Sequence, residues 1–387
     1  MARIRAAVLA AAAFAAVVSV PAAASSAAVD RVRVPHPAVC GAVAAGFARC
    51  HARVLAHGGG SLLSASSPTG LGPAAIKAAY TFPTELSAGA AMTVALVDAY
   101  DDPSAETDLN VFSAQYDLPA CTTANGCFTK VNQAGGTSYP RKDAGWALEI
   151  SLDVQWAHAI APGARILLVE ATSNSFANLL AAEDYAKAHA AYLSNSWGGA
   201  ESSGESRYDA HFFQPGVSVF VAAGDSGLPA EYPSSSPNVV SVGGTTLHNI
   251  GTPTFSETGW SGGGGGCSAY ESAPSAQASF SGYGQTNCAG KRATPDVSLD
   301  ADPTSGVAVY DSTSYQRQSG WFTLGGTSAA SPMWAARSAV AGAVVNGAYV
   351  YGNAIAYRDI TGGNNGAPCL IGFDLCTGRG SWTGTAP

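Results

Sequence analysis

Two carboxylates four positions apart inside an apolar stretch are the first feature of this sequence with chemical potential. In residues 145–162, GWALEISLDVQWAHAIAP, Glu149 and Asp153 would project from one face of a helix, within reach of each other. Like charges at that spacing cost roughly 0.2–0.5 kcal/mol even when exposed, and burial adds to the cost unless one carboxyl keeps its proton or finds donors. A shared proton and a shifted pKa are what general-base chemistry needs. The plain alternative is a helix with two solvent-facing acids, against which stand the apolar residues on nearly every side of the stretch.

A second feature is Ser328 in LGGTSAASP, residues 324–332, which runs into Met333, Trp334 and an Ala-rich stretch. A serine at a Gly-rich turn before a helix exposes its hydroxyl and places an anionic intermediate beside unpaired N–H groups. An N-cap is the ordinary role for such a serine. The pattern is not the Gly-x-Ser-x-Gly elbow, and none of the seven histidines announces itself as a base. His158 lies off the Glu149/Asp153 face and reads as a packing or surface residue. Asp225, in Gly224-Asp225-Ser226-Gly227, follows an apolar run, where an Asx-turn or a helix cap is its bland reading.

Positioning these groups requires alternating buried strands and helices. The apolar runs 92–97, 165–169, 191–193, 217–221 and 239–242 read as strands, and 104–115, 145–162, 176–191 and 329–345 as helices. That alternation predicts an α/β fold with a parallel sheet covered by helices and functional loops at the strand carboxyl ends.

The chain opens with Arg3 and Arg5 before an apolar run and small residues at 22–28, the pattern of a cleavable signal peptide over 1–28. Residues 29–70 read as a short pro-segment or N-terminal extension, and 71–387 as the folded domain. No later stretch is apolar enough to span a bilayer, so a secreted, extracellular protein without stable membrane association is expected. A net charge of −8 argues against a nucleic-acid-binding surface. Eight cysteines fall into close pairs, Cys40/Cys50, Cys121/Cys127, Cys267/Cys288 and Cys369/Cys376, which export makes disulfide candidates of open connectivity. A zinc site has no supporting ligand pattern.

Taken together, the motifs resemble the sedolisin family of serine-carboxyl peptidases. Gly326-Thr327-Ser328 with Pro332 matches its nucleophile motif, Glu149 and Asp153 its helix-borne pair, and Gly224-Asp225-Ser226-Gly227 its third signature, over about 71–387. Trp260-Ser261 and the glycines 262–266 also follow its pattern. The resemblance implies a subtilisin-like parallel sheet flanked by helices, with a C-terminal calcium-binding loop. It implies Ser328 as nucleophile, Glu149 as base and later acid, Asp153 as the acid that orients Glu149, and a protonated Asp225 as oxyanion donor. Ser196, Trp197 and Gly198 would line the substrate cleft, although Trp197 as a core residue is nearly as good a reading. One structural calcium ion would be held by carboxylates of Asp359 and Asp374 and carbonyls of Ile360, Leu370 and Gly372, with leucine standing at 370 where glycine is usual.

The large folded propeptide usual in the family has no counterpart in 29–70. A monomeric, acid-active endopeptidase for peptide or protein substrates is the expectation. An exopeptidase of the same catalytic type and an inactive extracellular binding protein are the alternatives.

Overall fold

The computed structural model describes residues 1–2, 36–56, 62, 64–352 and 356–384. The expected signal peptide therefore lies outside the described residues, apart from Met1 and Ala2. The framework is a ten-stranded sheet. Its parallel part runs in the spatial order Phe128–Asn132, Arg165–Ala171, Thr93–Ala99, Tyr192–Asn195, Ser218–Ala222, Val240–His248, Val297–Asp300 and Ser381–Trp382. Tyr357–Arg358 and Ser256–Gly259 add antiparallel partners. The runs read as strands are all strands, each continued by residues whose backbone pairs although their side chains are less apolar.

The central helix spans Ala144–Ile160 and is capped by Asp143, whose carboxylate accepts from the N–H groups of Gly145 at 3.0 Å and Trp146 at 3.2 Å. Every residue from Trp146 to Ile160 is buried, which disposes of the solvent-facing reading of Glu149 and Asp153. The helix is enclosed because it packs against Thr327–Ala341, Ala105–Gln115 and the strand Val307–Tyr315. Trp156 Nε1 donates to the Ala308 carbonyl at 3.0 Å, and Gln155 Nε2 to that of Tyr310 at 2.7 Å. Thr327–Ala341 begins two residues earlier than its apolar pattern predicts and stops at Gly342, which adopts a left-handed φ of 64°. The Phe176–His189 helix packs on the strands Thr93–Ala99 and Arg165–Ala171.

All four cysteine pairs are bridged between nearest neighbours: Cys40–Cys50, Cys121–Cys127, Cys267–Cys288 and Cys369–Cys376. His158 is wholly buried, bonded through Nε2 to the Pro119 carbonyl at 2.9 Å, and burial lowers its pKa to about 4. It is a packing residue, not a surface one.

Residues 36–56 are part of the folded body. Arg49–Cys50 pairs antiparallel with Trp197 and Gly198, while Arg53–Val54 pairs with Gly325 and Leu324. Ser64–Ala65 adds to the same sheet through Trp321 and Phe322.

Candidate active site

The proposed catalytic side chains come from separate elements and meet at the carboxyl ends of the parallel strands, where open α/β sheets place their sites. Ser328 is the second residue of the Thr327–Ala341 helix, so its backbone N–H belongs to the first turn and has no partner within the helix. Asp225 follows the strand Ser218–Ala222, and its Oδ1 accepts from the Thr327 N–H at 2.8 Å and from Thr327 Oγ1 at 3.0 Å. Thr327 Oγ1 also sits 3.1 Å from the Gly224 N–H, tying the Asp225 turn to the start of the serine helix. Gly264 packs against that turn so closely that a Cβ would overlap the Ala223 carbonyl, which accounts for a glycine in the 262–266 run.

Opposite lie Glu149 and Asp153, both with no exposed surface. Ser196 Oγ donates to Asp153 Oδ1 at 2.9 Å. Neither Glu149 oxygen closes a tight hydrogen bond, but the Ser328 hydroxyl and the Ala52 N–H face it and favour its charged form. In the conformation observed, Ser328 Oγ lies 3.3 Å from the Ser196 carbonyl. Burial first, and then the charges of Asp98 and Asp225, hold Glu149 well above the usual carboxylate range. Asp153 is raised likewise by burial, Asp98 and Glu149. Burial also raises Asp225, against the pull of His51, Arg53 and the Thr327 donors. These groups titrate together, so protons belong to the cluster more than to any one member.

Asp98 is the member that sequence reasoning missed. It ends the apolar run of Thr93–Ala99, is fully buried with both oxygens unpartnered, and is pushed by burial to about 7. An acid in a strand otherwise made of Val, Ala and Leu was the available signal. Of the cleft residues, Trp197 turns its indole inward, donating from Nε1 to the Val97 carbonyl at 2.9 Å, and only its backbone belongs to the cleft. Ser196 and Gly198 contribute backbone there too.

Residues 141–351, more than half of the chain, match the subtilase family. Kumamolisin of Bacillus sp. (strain MN-32) is 30% identical, the match covering 86% of this chain and 66% of that protein. The chain belongs to the sedolisin family of subtilases. Sedolisin of Pseudomonas sp. (strain 101) is 36% identical over 39% of this chain and 28% of its own length. Xanthomonalisin of Xanthomonas sp. (strain T-22) is 28% identical over 71% of this chain and 41% of its length. This chain thus spans from 28% to 66% of the curated relatives it matches. The solved structure of Pseudomonas sedolisin, a serine-carboxyl proteinase complexed with two molecules of pseudo-iodotyrostatin, superposes with a TM-score of 0.67 at 26% identity, covering 82% of this chain and 96% of that one. The subtilisin-like α/β fold expected of a sedolisin is therefore present.

The residues that the family resemblance assigned to calcium lie close to a single turn. Asp359 Oδ2 accepts from the Gly372 N–H at 2.9 Å, and Asp374 Oδ2 from the Leu370 N–H at 2.6 Å. Two carboxylates with the carbonyls of Ile360, Leu370 and Gly372 would make an all-oxygen donor set, which fits calcium. The Cys369–Cys376 bridge closes this stretch. The grouping of Cys121, Cys127 and His158 is no thiolate metal site, because both sulfurs are spent in a disulfide.

Proposed function

We infer that this sedolisin is a secreted serine-carboxyl peptidase that hydrolyses peptide bonds in acid. The observation that carries the reading is the meeting of Ser328, the buried Glu149 with Asp153, and Asp225 from distant parts of the chain in one water-poor cluster. Ser328 Oγ attacks the scissile carbonyl carbon as its proton passes to Glu149, which later protonates the leaving nitrogen. Asp153, held by Ser196 and coupled to Glu149, keeps that carboxyl basic enough to accept a proton and acidic enough to return it. The Ser328 N–H and a protonated Asp225 stabilise the oxyanion, a task that only a neutral carboxyl can perform. Water then releases the acyl group. The backbone of Ser196, Trp197 and Gly198 would hold an extended peptide by strand pairing.

Four disulfides support an extracellular location, and no helix among the described residues is long and apolar enough to cross a membrane. Asp359, Ile360, Leu370, Gly372 and Asp374 would hold one calcium ion that braces the C-terminal loop, away from the chemistry. Endopeptidase action is the form proposed, because a cleft that pairs strand-like with a peptide reads backbone on both sides of a cut. The test is cleavage of a peptide library across pH, with products identified by mass. Wild type should cut internal bonds in acid, while Ser328→Ala, folded by circular dichroism, should cut none. Near-wild-type kcat/KM in the variant would remove Ser328 as nucleophile.

A further inference from the structure

A neutral carboxyl has two unlike oxygens, one that carries the proton and donates, and one that only accepts. Asp225 can serve an oxyanion only if the proton rides on the oxygen that faces it. Its two oxygens stand in opposite surroundings. Oδ1 accepts from the Thr327 N–H at 2.8 Å and from the Thr327 hydroxyl at 3.0 Å. Oδ2 is buried with no hydrogen-bond partner, and the Arg53 Nε lies 3.6 Å from it. Gly326 shows which way Oδ2 faces. A Cβ on Gly326, whose φ is 94°, would come within 2.7 Å of Oδ2 and would overlap the His51 carbonyl oxygen, which accepts from the Ser328 N–H at 3.2 Å. Oδ2 and the acceptor of that N–H therefore lie on one side of Gly326, while Oδ1 is turned to Thr327.

The Thr327 hydroxyl is arranged to donate to Asp225. Oγ1 accepts from the Gly224 N–H at 3.1 Å, which leaves its hydrogen for one of two acceptors, Asp225 Oδ1 at 3.0 Å and the Gly224 carbonyl at 3.2 Å. The Gly224 carbonyl already receives the Gly264 N–H at 2.7 Å, so Oδ1, the nearer oxygen, is the better acceptor. Thr327 is fully buried, and solvent does not compete for its hydroxyl. A proton on Oδ1 would confront two donors, one of them a backbone N–H that cannot turn away. On Oδ2 it confronts none.

We propose that the Thr327 hydroxyl positions the Asp225 proton: by donating to Oδ1 it makes that oxygen the carbonyl end of the neutral carboxyl and confines the proton to Oδ2, beside the developing oxyanion. Thr327 is a positioning residue, acting on the substrate only through Asp225. The proposal rests on the peptidase reading and adds to it the group that decides where the donor points. As Ser328 Oγ bonds to the scissile carbon, the carbonyl oxygen gains charge and accepts a hydrogen bond from Oδ2–H. When the tetrahedral intermediate collapses, the hydrogen remains on Oδ2. The same hydroxyl also acts on the titration of Asp225. Together with the Thr327 N–H and the charges of His51 and Arg53, it favours the ionised form against burial. Glu149, on the central helix, is raised by the charge of Asp225, and Glu231 stands behind His51 at 3.3 Å. Removing the hydroxyl therefore makes Asp225 easier to protonate and, at the same time, lets the proton sit on the oxygen that faces away from the substrate.

Thr327→Val keeps the shape of the side chain and removes its hydroxyl, whereas Thr327→Ser keeps the hydroxyl. Both are assayed beside wild type for peptide hydrolysis from about pH 2 to 9, with circular dichroism at each point as the check on folding. Thr327→Val should lower the plateau of kcat by about three- to tenfold, the worth of one neutral hydrogen bond, with KM little changed. Its alkaline limb should move to higher pH, and Thr327→Ser should recover most of the lost rate. In an Asp225→Asn background Thr327→Val should cost little, because an amide has fixed donor and acceptor ends and the Thr327 N–H alone keeps its oxygen inward. Loss of the bond to the Gly224 N–H would act equally in both backgrounds, so the comparison separates the two effects. If Thr327→Val does not fold, Thr327→Cys, whose thiol is a weak donor, takes its place. Wild-type kcat in the folded variant, a loss equal in both backgrounds, a loss confined to KM, or an alkaline limb that stays or moves down would overturn the proposal and leave the peptidase reading standing. A wild type that cuts no peptide at any pH would refute the peptidase reading and the proposal with it.

Discussion

Replacing Asp311 by asparagine should leave stability near its wild-type value at pH 4 and raise it progressively toward pH 7. The carboxyl lies fully buried in the strand Val307–Tyr315, where Oδ1 accepts from the Thr313 N–H at 2.7 Å and Oδ2 has no partner. Burial first, then the charges of Asp102 and Asp108, raise it from 3.8 to about 8. A group whose folded pKa exceeds its unfolded one holds a proton in the native state that the unfolded chain has already released. Its contribution is therefore complete below about 4 and is lost as pH rises through the interval up to about 8. Across pH 4 to 7 that loss comes to about 4 kcal/mol per group, a ceiling that relaxation around the site lowers. Asparagine cannot titrate, so the gap between variant and wild type should widen by about 1–4 kcal/mol over that range. Urea unfolding followed by circular dichroism at several pH values measures it, with Ser328→Ala as the common background so that proteolysis does not intervene. A gap that is constant with pH, or that widens toward acid, would refute the reasoning. The same sign applies to Asp102, raised to about 7, and Glu183, raised to about 8, both chiefly by burial, so the whole protein should be most stable in acid.

Asp225→Asn should keep part of the activity, because its amide still donates, and should shift or flatten the alkaline limb of kcat/KM; an unchanged limb would remove Asp225 from the oxyanion role. Asp225→Ala should lose about 10²–10³ in kcat. Calcium at about a hundred times its Kd should stabilise the protein by about 2.7 kcal/mol. Calorimetry that gives one Tm with calcium and with chelator would reject the ion at Asp359 and Asp374.

Much of the site was legible before any coordinate. A spacing of four on a helix places Glu149 and Asp153 together whatever surrounds them, and a Gly-rich turn before a helix leaves the Ser328 N–H without a partner inside the helix. Cysteines close in sequence are close in space, and their four nearest pairings are those found. Strand cores were legible as apolar runs, whereas their ends were not. Backbone pairing extends Val240–His248 through Gly, Thr and His, which carry no apolar signal.

What local pattern could not say is which distant groups meet. Asp98 joins Glu149 and Asp153 only because the strand Thr93–Ala99 ends beneath the central helix, and its raised pKa comes from the burial that this packing imposes. Trp197 had two acceptable positions, and the choice fell to the carbonyl of Val97, a hundred residues earlier, that receives its N–H. The course of residues 47–54 is the clearest case. Nothing in Arg49-Cys50-His51-Ala52-Arg53 marks a segment that pairs on both sides, because strand pairing is made by backbone hydrogen bonds that any sequence can supply. Its place there follows from strand pairing on both sides with Trp197, Gly198, Leu324 and Gly325, contacts that exist only once the sheet and the serine helix have come together.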